Sequence, residues 1–185
     1  MLRFVEVTPE NHDLAIEIQN TIFPNENGRD EIVAGAYQIR TDRMDEIYYW
    51  IAYEGETPVG ICGITEYLDY PEDCFLGWYG VLENHRRSGY GRKMFEHCKQ
   101  KAKEKGYKTL RLYTDEVDNS VAVLAYKQFG MTGEYYEHPT DKTVFVGKQI
   151  VFSIPLDGKE LVKWNNRMLY LAEEDEIEAK YRKKK

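Results

Sequence analysis

The chain has 185 residues, of which 42% are hydrophobic and 31% charged, with a net charge of −7 and three cysteines. That length accommodates one domain with a full hydrophobic core, and that mixture excludes a disordered chain. No apolar run approaches the ~20 residues that a bilayer span requires, so no membrane partner is expected.

The opening stretch MLRFVEVTPE carries charges where a secretory leader would need an apolar centre, which points to a cytoplasmic location. Cys62, Cys74 and Cys98 are too scattered for a disulfide framework or a metal knot. They read as buried small hydrophobes in a reducing compartment.

In chain order, LRFVEV alternates and predicts a strand. After it, Leu14, Ile18 and Ile22 recur four apart, which predicts a helix with Thr8 as its cap and Pro9 in its first turn. PNENG interrupts the pattern, and RDEIVAGAYQIR predicts a shorter second helix. The segment EIYYWIAYEGETPVGICGITEY reads as two strands turning at Glu54-Gly55-Glu56, and CFLGWYGVL as a third.

A helix follows, with Met94, Phe95, Cys98 and Ala102 on one face and Gly106 as its stop. KTLRLYT is then a strand, and NSVAVLAYKQFG a helix capped by Asp118 or Asn119. MTGEYYEH and TVFVGKQIVFSIPL supply the last strands. In the tail, Leu161, Trp164, Met168 and Leu171 form a stripe at helical spacing. Residues 1–156 are therefore expected as one α/β (α+β) domain, a single mixed, mostly antiparallel sheet flanked by helices. Residues 157–185 are expected as a helical extension packed either on that domain or on a second copy in a homodimer.

Charge is uneven along this order. Residues 86–105 hold Arg86, Arg87, Arg92, Lys93, Lys99, Lys101, Lys103 and Lys105 against Glu96 and Glu104. The segment carries a net +6 and leaves −13 for the rest, so a local anionic ligand is expected there. The lysines alone need no ligand, since a solvated helix face explains them.

At the segment's start, RRSGYGRK lies between a strand and a helix. A Walker loop would need GxxxxGK and a hydroxyl, and a dinucleotide fingerprint would need a third glycine where Met94 stands; both fail. The physics remains. Gly89 and Gly91 permit a tight turn, the helix start offers unpaired N–H groups, and Arg86, Arg87 and Arg92 add charge-assisted donors. These make a cradle for a diphosphate, although a plain strand-to-helix turn with surface arginines would also call for a glycine.

The run Arg86-Arg-Ser-Gly89-Tyr-Gly91, after VLENH, resembles the (Gln/Arg)-x-x-Gly-x-(Gly/Ala) signature of the GNAT superfamily of acetyl-CoA-dependent N-acetyltransferases. Downstream, NSVAVLAYKQFGM is similar to that family's Asn-x-x-Ala-x-x-x-Tyr-x-x-x-Gly-Phe segment, with Asn119, Ala122, Tyr126 and Gly130 in place and Met131 for the phenylalanine. Element order agrees from Leu2 to Leu156, and the tail lies outside the resemblance.

The resemblance implies the GNAT acyl-CoA N-acyltransferase fold and acetyl-CoA as cosubstrate, with a small-molecule or peptide amine as acceptor. It implies that Arg86, Arg87, Ser88, Gly89, Tyr90, Gly91 and Arg92 hold the diphosphate. Gly80, Val81, Leu82 and Glu83 would hold the pantetheine arm, and an amide near Val81 would polarise the thioester carbonyl. Asn119 would contact the cofactor, and Tyr126 would be the general acid toward the departing thiolate. A phenol of pKa ~10 suits a thiolate of ~8.5. The alternative for Tyr126 is a core tyrosine beside Ala122 and Phe129.

Where many members carry a strand glutamate as general base, this chain has Phe75. Glu72, Asp73, Asp115, Glu116 or a water chain remain as base candidates, and each carboxylate reads equally as a turn or surface residue. His85 and His138 have no supporting spacing. The four histidines, with His12 and His97, form no ligand set, so no metal is expected.

The family builds its acceptor cleft from the first two helices and a late loop, here 23–40 and 137–146. Glu26, Asp30 and Glu31 could attract an ammonium, and Tyr48, Tyr49, Trp50, Trp78 and Tyr79 could wall it. Alternation sends half of these rings to each face. Two other readings stand beside this one. The first is a CoA-binding chain that moves another acyl group or lacks transfer. The second is a nucleic-acid module built on residues 86–105 and YRKKK, which the acidic balance disfavours.

Overall fold

A computed structural model describes residues 1–140 and 146–169. The elements are β1 (Leu2–Glu6), α1 (His12–Ile22), α2 (Arg29–Ala36), β2 (Met44–Glu54), β3 (Thr57–Tyr67), β4 (Asp73–Leu76), β5 (Gly80–Val81), α3 (Tyr90–Glu104), β6 (Thr109–Asp115), α4 (Ser120–Gln128), β7 (Thr132–Tyr135) and β8 (Gln149–Pro155). The mixed order read from the sequence is reproduced through β8, with the expected third strand divided into β4 and β5. The chain forms two compact units, Met1–Leu110 with Leu156–Gly158, and Arg111–Pro155 with Lys159–Lys185.

In the first unit β1, β2, β3 and β4 are neighbours in that order, and β5 also pairs with β3. β1, β2 and β3 pair antiparallel, β2 and β3 as a hairpin turning at Gly55, whose φ of +59° suits glycine. Both faces of this sheet are covered, so the strands lose strict alternation of burial. Ile47, Tyr49, Ile51 and Ile61 belong to a core with Ala15, Ile16, Ile18 and Ile32 of α1 and α2. Each fully buried aliphatic side chain there contributes roughly 1.5–3 kcal/mol. On α3, Met94, Phe95, Cys98 and Ala102 are fully buried, as the apolar spacing required.

Helix α1 starts three residues later than the proline signal suggested. Asn11 takes the capping position, its carboxamide accepting from the Thr8 amide (2.7 Å) and donating to the Glu6 carbonyl (2.9 Å). Those bonds hold residues 8–11 as a turn, which outweighs the preference for proline in a first helical turn.

The expected strand CFLGWYGVL is broken in two. Ile64 faces Leu76 and Ile61 faces Gly80, so three residues, Gly77 to Tyr79, stand opposite two, Cys62 and Gly63. One surplus residue makes a β-bulge, which bends the strand and re-aims its groups. Tyr49 fills the space created. A Cβ on Gly63 would lie 2.4 Å from its ring, and one on Gly77 2.4 Å from its hydroxyl.

In the second unit β8 lies between β6 and β7 and pairs antiparallel with β7. The tail corrects the sequence reading: residues 157–169 form no helix, and Leu171 with residues 170–185 lies outside the described residues. Asn165 and Asn166 sit at φ +54° and +52°, left-handed values that no helix interior tolerates. Trp164, 1% exposed, is an anchor rather than part of a stripe, while Met168 is 40% exposed. The Trp164 and Asn165 amides donate to the two carboxylate oxygens of Glu134 (2.7 and 3.2 Å). The guanidiniums of Arg167 and Arg111 lie 4.0 and 5.3 Å from the Trp164 indole.

His97 on α3 stacks on Phe4 (3.9 Å) and meets Trp50 edge-on (5.0 Å), its Nε2 buried without a hydrogen-bond partner. Burial first, and Lys101 second, lower its pKa to about 4 from the usual 6.5. The unfolded chain then binds the extra proton between those values, so stability falls as pH drops from 6.5 toward 4 and is unaffected above. Thermal melts across pH 4–8 should show that loss, and His97→Phe should remove this part of the slope.

Candidate active site

The signature segment forms one continuous feature of the first unit. The Leu82 amide donates to the Val59 carbonyl (2.9 Å), so the preceding Val81 amide points to the opposite edge of β5. Beyond it Glu83–His85 make one 3₁₀ turn, and Arg86 is extended. The Arg86 guanidinium donates back to the Val81 carbonyl (3.1 Å), which pins the loop to the strand end. Arg87 at φ +63° and Gly89 at φ +73° flank Ser88. Left-handed residues in a turn are those from which a nest of backbone amides for an anion is built.

Gly89 caps α3 without any side-chain hydrogen bond, so the first amides of the helix, among them those of Tyr90 and Gly91, have no capping side chain. Arg86, Arg87, Ser88, Gly89 and Arg92 are exposed, whereas the Tyr90 ring is buried. Gly91 sits close under Tyr79: the Tyr79 hydroxyl donates to its carbonyl (2.5 Å), and a Cβ there would lie 3.3 Å from that oxygen. The dipole, the nest and the arginines together favour a doubly charged anion. The lysines farther along include two paired within the helix, Lys99 with Glu96 (2.6 Å) and Lys101 with Glu104 (2.9 Å).

Asn119 and Tyr126 lie in the second unit. Asn119 caps α4, its carbonyl accepting from the Val123 amide (2.9 Å), and Tyr126 follows seven residues on, two turns along one face. The Tyr126 ring packs on Phe152 (5.6 Å) and Phe129 (6.4 Å) and is 8% exposed. Burial pushes its phenol up to about 12, so it stays protonated at neutral pH.

The proposed bases are occupied elsewhere. Glu72 pairs with Lys108 at the surface. Asp73 begins β4 and is buried. Asp115 accepts from the Val117 and Asp118 amides (2.8 and 3.1 Å), which builds the turn into α4. Glu116 accepts from the exposed Tyr135 hydroxyl (2.8 Å). Phe75 is a core side chain, edge-on to Tyr67 at 4.8 Å. Among the described residues no cluster of three His, Cys, Asp or Glu side chains is placed to hold a metal, and no helix is long and apolar enough to cross a membrane.

Of the acceptor-side residues, Glu26 and Asp30 are exposed, but Glu31 turns inward from the first turn of α2. It accepts the Tyr49 hydroxyl proton, and that hydroxyl in turn accepts from the Trp78 amide in the bulge (3.1 Å). Burial raises the Glu31 carboxyl above its usual range, and the Tyr49 bond partly offsets this. Trp78 packs on Phe23 (5.3 Å), and Gly28 passes so close that a Cβ would lie 2.5 Å from the indole nitrogen. The buried Gln19 braces this loop, accepting from the Gly28 amide (3.2 Å). Tyr48 and Trp50 face α3 instead; Lys105 sits over the Tyr48 ring. Part of the expected late loop, residues 141–145, lies outside the described residues.

Residues 13–131 match the family model for the acetyltransferase (GNAT) family. No curated protein matches the sequence. Among solved structures, the ribosomal-protein-S18-alanine N-acetyltransferase from Escherichia coli is similar at a TM-score of 0.63 and 17% identity, over 92% of this chain and 100% of that one. The PaiA N-acetyltransferase from Thermoplasma acidophilum, in complex with coenzyme A, gives 0.60 and 14% over 84% and 99%. Arabidopsis thaliana NAA60, in complex with a bisubstrate analogue, gives 0.63 and 15% over 86% and 100%.

Gly89→Ala should cost about 1 kcal/mol, since an L-residue is strained at that positive φ even though its Cβ has open space. Gly91→Ala, at a helical φ, should cost less. Denaturant unfolding of both variants checks the order.

Proposed function

The chain belongs to the GNAT family of acetyltransferases, and we propose that it transfers the acetyl group of acetyl-CoA to a primary amine of a small molecule or peptide. The observation that carries this reading is the bulged β4–β5 strand running into a loop with Arg87 and Gly89 at positive φ and an uncapped α3. A diphosphate fits that loop, and the outward Val81 amide fits the edge where an extended pantetheine arm would lie. The relative with coenzyme A bound and the relative named for acetylating a ribosomal-protein alanine support the donor and the acceptor class.

In the proposed reaction both substrates are present together. Arg86 to Arg92 hold the diphosphate, and Val81, Leu82 and Glu83 hold the arm. The neutral amine attacks the thioester carbon, and the negative charge developing on oxygen is met by a main-chain amide near Val81. The carbon–sulfur bond breaks, Tyr126 donates its proton to the thiolate, and the proton that nitrogen gives up as the amide forms restores the phenol. Its raised pKa keeps the proton available, and burial keeps water from competing. Asn119, at the head of the same helix, completes the cofactor contacts. A reducing cytoplasm, with Cys62, Cys74 and Cys98 free and buried, belongs to the same proposal.

Saturating acetyl-CoA should stabilise the protein by ~2–4 kcal/mol in a thermal-shift assay, and absence of any shift would sink the reading. Tyr126→Phe should keep that shift and slow thiol release in an amine screen by ~10²–10⁴-fold. Unchanged turnover would remove Tyr126 from the mechanism.

A further inference from the structure

Glu31 is a carboxyl that the fold draws inward without a cation. Among the described residues it has no ion pair, and its one hydrogen bond is to Tyr49. An unpaired, half-buried carboxylate is costly and weakens the fold unless something compensates. It is also placed with purpose. Through the Tyr49 hydroxyl it connects to the Trp78 amide, in the bulge where the strand kinks ahead of Val81. The Trp78 indole N–H is buried and has no hydrogen-bond partner, and Phe23 and Trp78 form a partly exposed aromatic pair beside it. An anion linked through Tyr49 to the strand kink, with two aromatic faces next to that kink, suits a primary ammonium on a hydrocarbon arm.

We propose that Glu31 is the general base of the transfer, receiving the acceptor's ammonium and taking its proton, with Tyr49 as the positioning residue that fixes its carboxylate against the bulge. This rests on the acetyl-transfer reading above. The ammonium gives one proton to Glu31, and its freed lone pair forms the carbon–nitrogen bond. The electrons of the carbon–sulfur bond leave with sulfur, the second nitrogen proton ends on sulfur, and Glu31 releases its own to water. The balance is one ammonium and one acetyl thioester giving one N-acetyl amide, one thiol and one proton.

Burial raises Glu31 and would lower a neighbouring ammonium, which narrows the gap that the proton must cross. The titratable group acting on Glu31 is Tyr49 from β2, and Tyr67 from β3 acts in turn on Tyr49. α1 contributes the neutral Gln19 to this corner, the bulge the Trp78 indole, and Asp30 of α2 itself is exposed.

The test uses the full chain with acetyl-CoA and three probes: spermidine, lysine methyl ester and an alanine-initiated hexapeptide with a free α-amine. Glu31→Gln should retain the acetyl-CoA thermal shift, lower kcat/KM by ~10²-fold or more, and abolish the acid limb of its pH profile. The loss should be larger for spermidine than for the hexapeptide, whose α-amine is already about half neutral near pH ~8. Tyr49→Phe removes the bond that stabilises the carboxylate, so its acid limb should move to higher pH, a displacement that lost packing alone would not produce. If the native chain is active and Glu31→Gln keeps both its rate and its acid limb, this proposal is overturned while the acetyl-transfer reading stands. If the native chain releases no thiol with any probe, both fall.

Discussion

Tyr49 is the side chain around which the first unit is arranged. Its ring lies against Gly63 on the neighbouring strand and its hydroxyl against Gly77, at positions where any Cβ would collide with it. The same hydroxyl accepts the Trp78 amide and donates to Glu31. A bulged strand leaves amides that the ladder no longer satisfies, and a buried unsatisfied amide costs about 1–3 kcal/mol. Tyr49 supplies that missing partner from the core side. The bulge and the inward turn of Glu31 on α2 thus meet at one buried phenol.

From the bulge, the chain resumes pairing for two residues and enters the loop that caps α3. The Arg86 guanidinium on the Val81 carbonyl and the Tyr79 hydroxyl on the Gly91 carbonyl tie loop, strand end and helix start together. A nest of amides binds well only if it is held in shape before the ligand arrives, because ordering it on binding would consume the affinity. Here the holding contacts use carbonyl oxygens, and no side chain caps the first N–H groups of α3.

The second unit solves a different problem. Arg111 is fully buried on β6, with its guanidinium donating to the Ser153 hydroxyl (2.8 Å) and the Val162 carbonyl (2.9 Å). Trp164 lies over it, so residues 157–169 act as a strap that covers a buried charge. The strap also reaches the start of the late loop, where the Leu169 amide donates to the Tyr136 hydroxyl (3.2 Å) and the Glu137 amide to the Asn166 carboxamide (3.2 Å).

Local chemistry is what the sequence by itself determined. The glycines and arginines of RRSGYGRK, the Asn119–Tyr126 spacing and the apolar face of α3 depend on neighbours a few residues away, and all kept their places. Tertiary structure decided the rest. Strand periodicity cannot say which face of a doubly covered sheet Tyr49 takes, and nothing local marks Glu31 as different from Glu26 or Asp30. One surplus residue in CFLGWYGVL becomes a bulge only when paired against Cys62 and Gly63. The spacing of Leu161, Trp164 and Met168 suggested a helix, but a buried guanidinium from a strand fifty residues earlier claimed the tryptophan instead. Each of these outcomes is set by a contact between residues far apart in the chain, which no short-range pattern encodes.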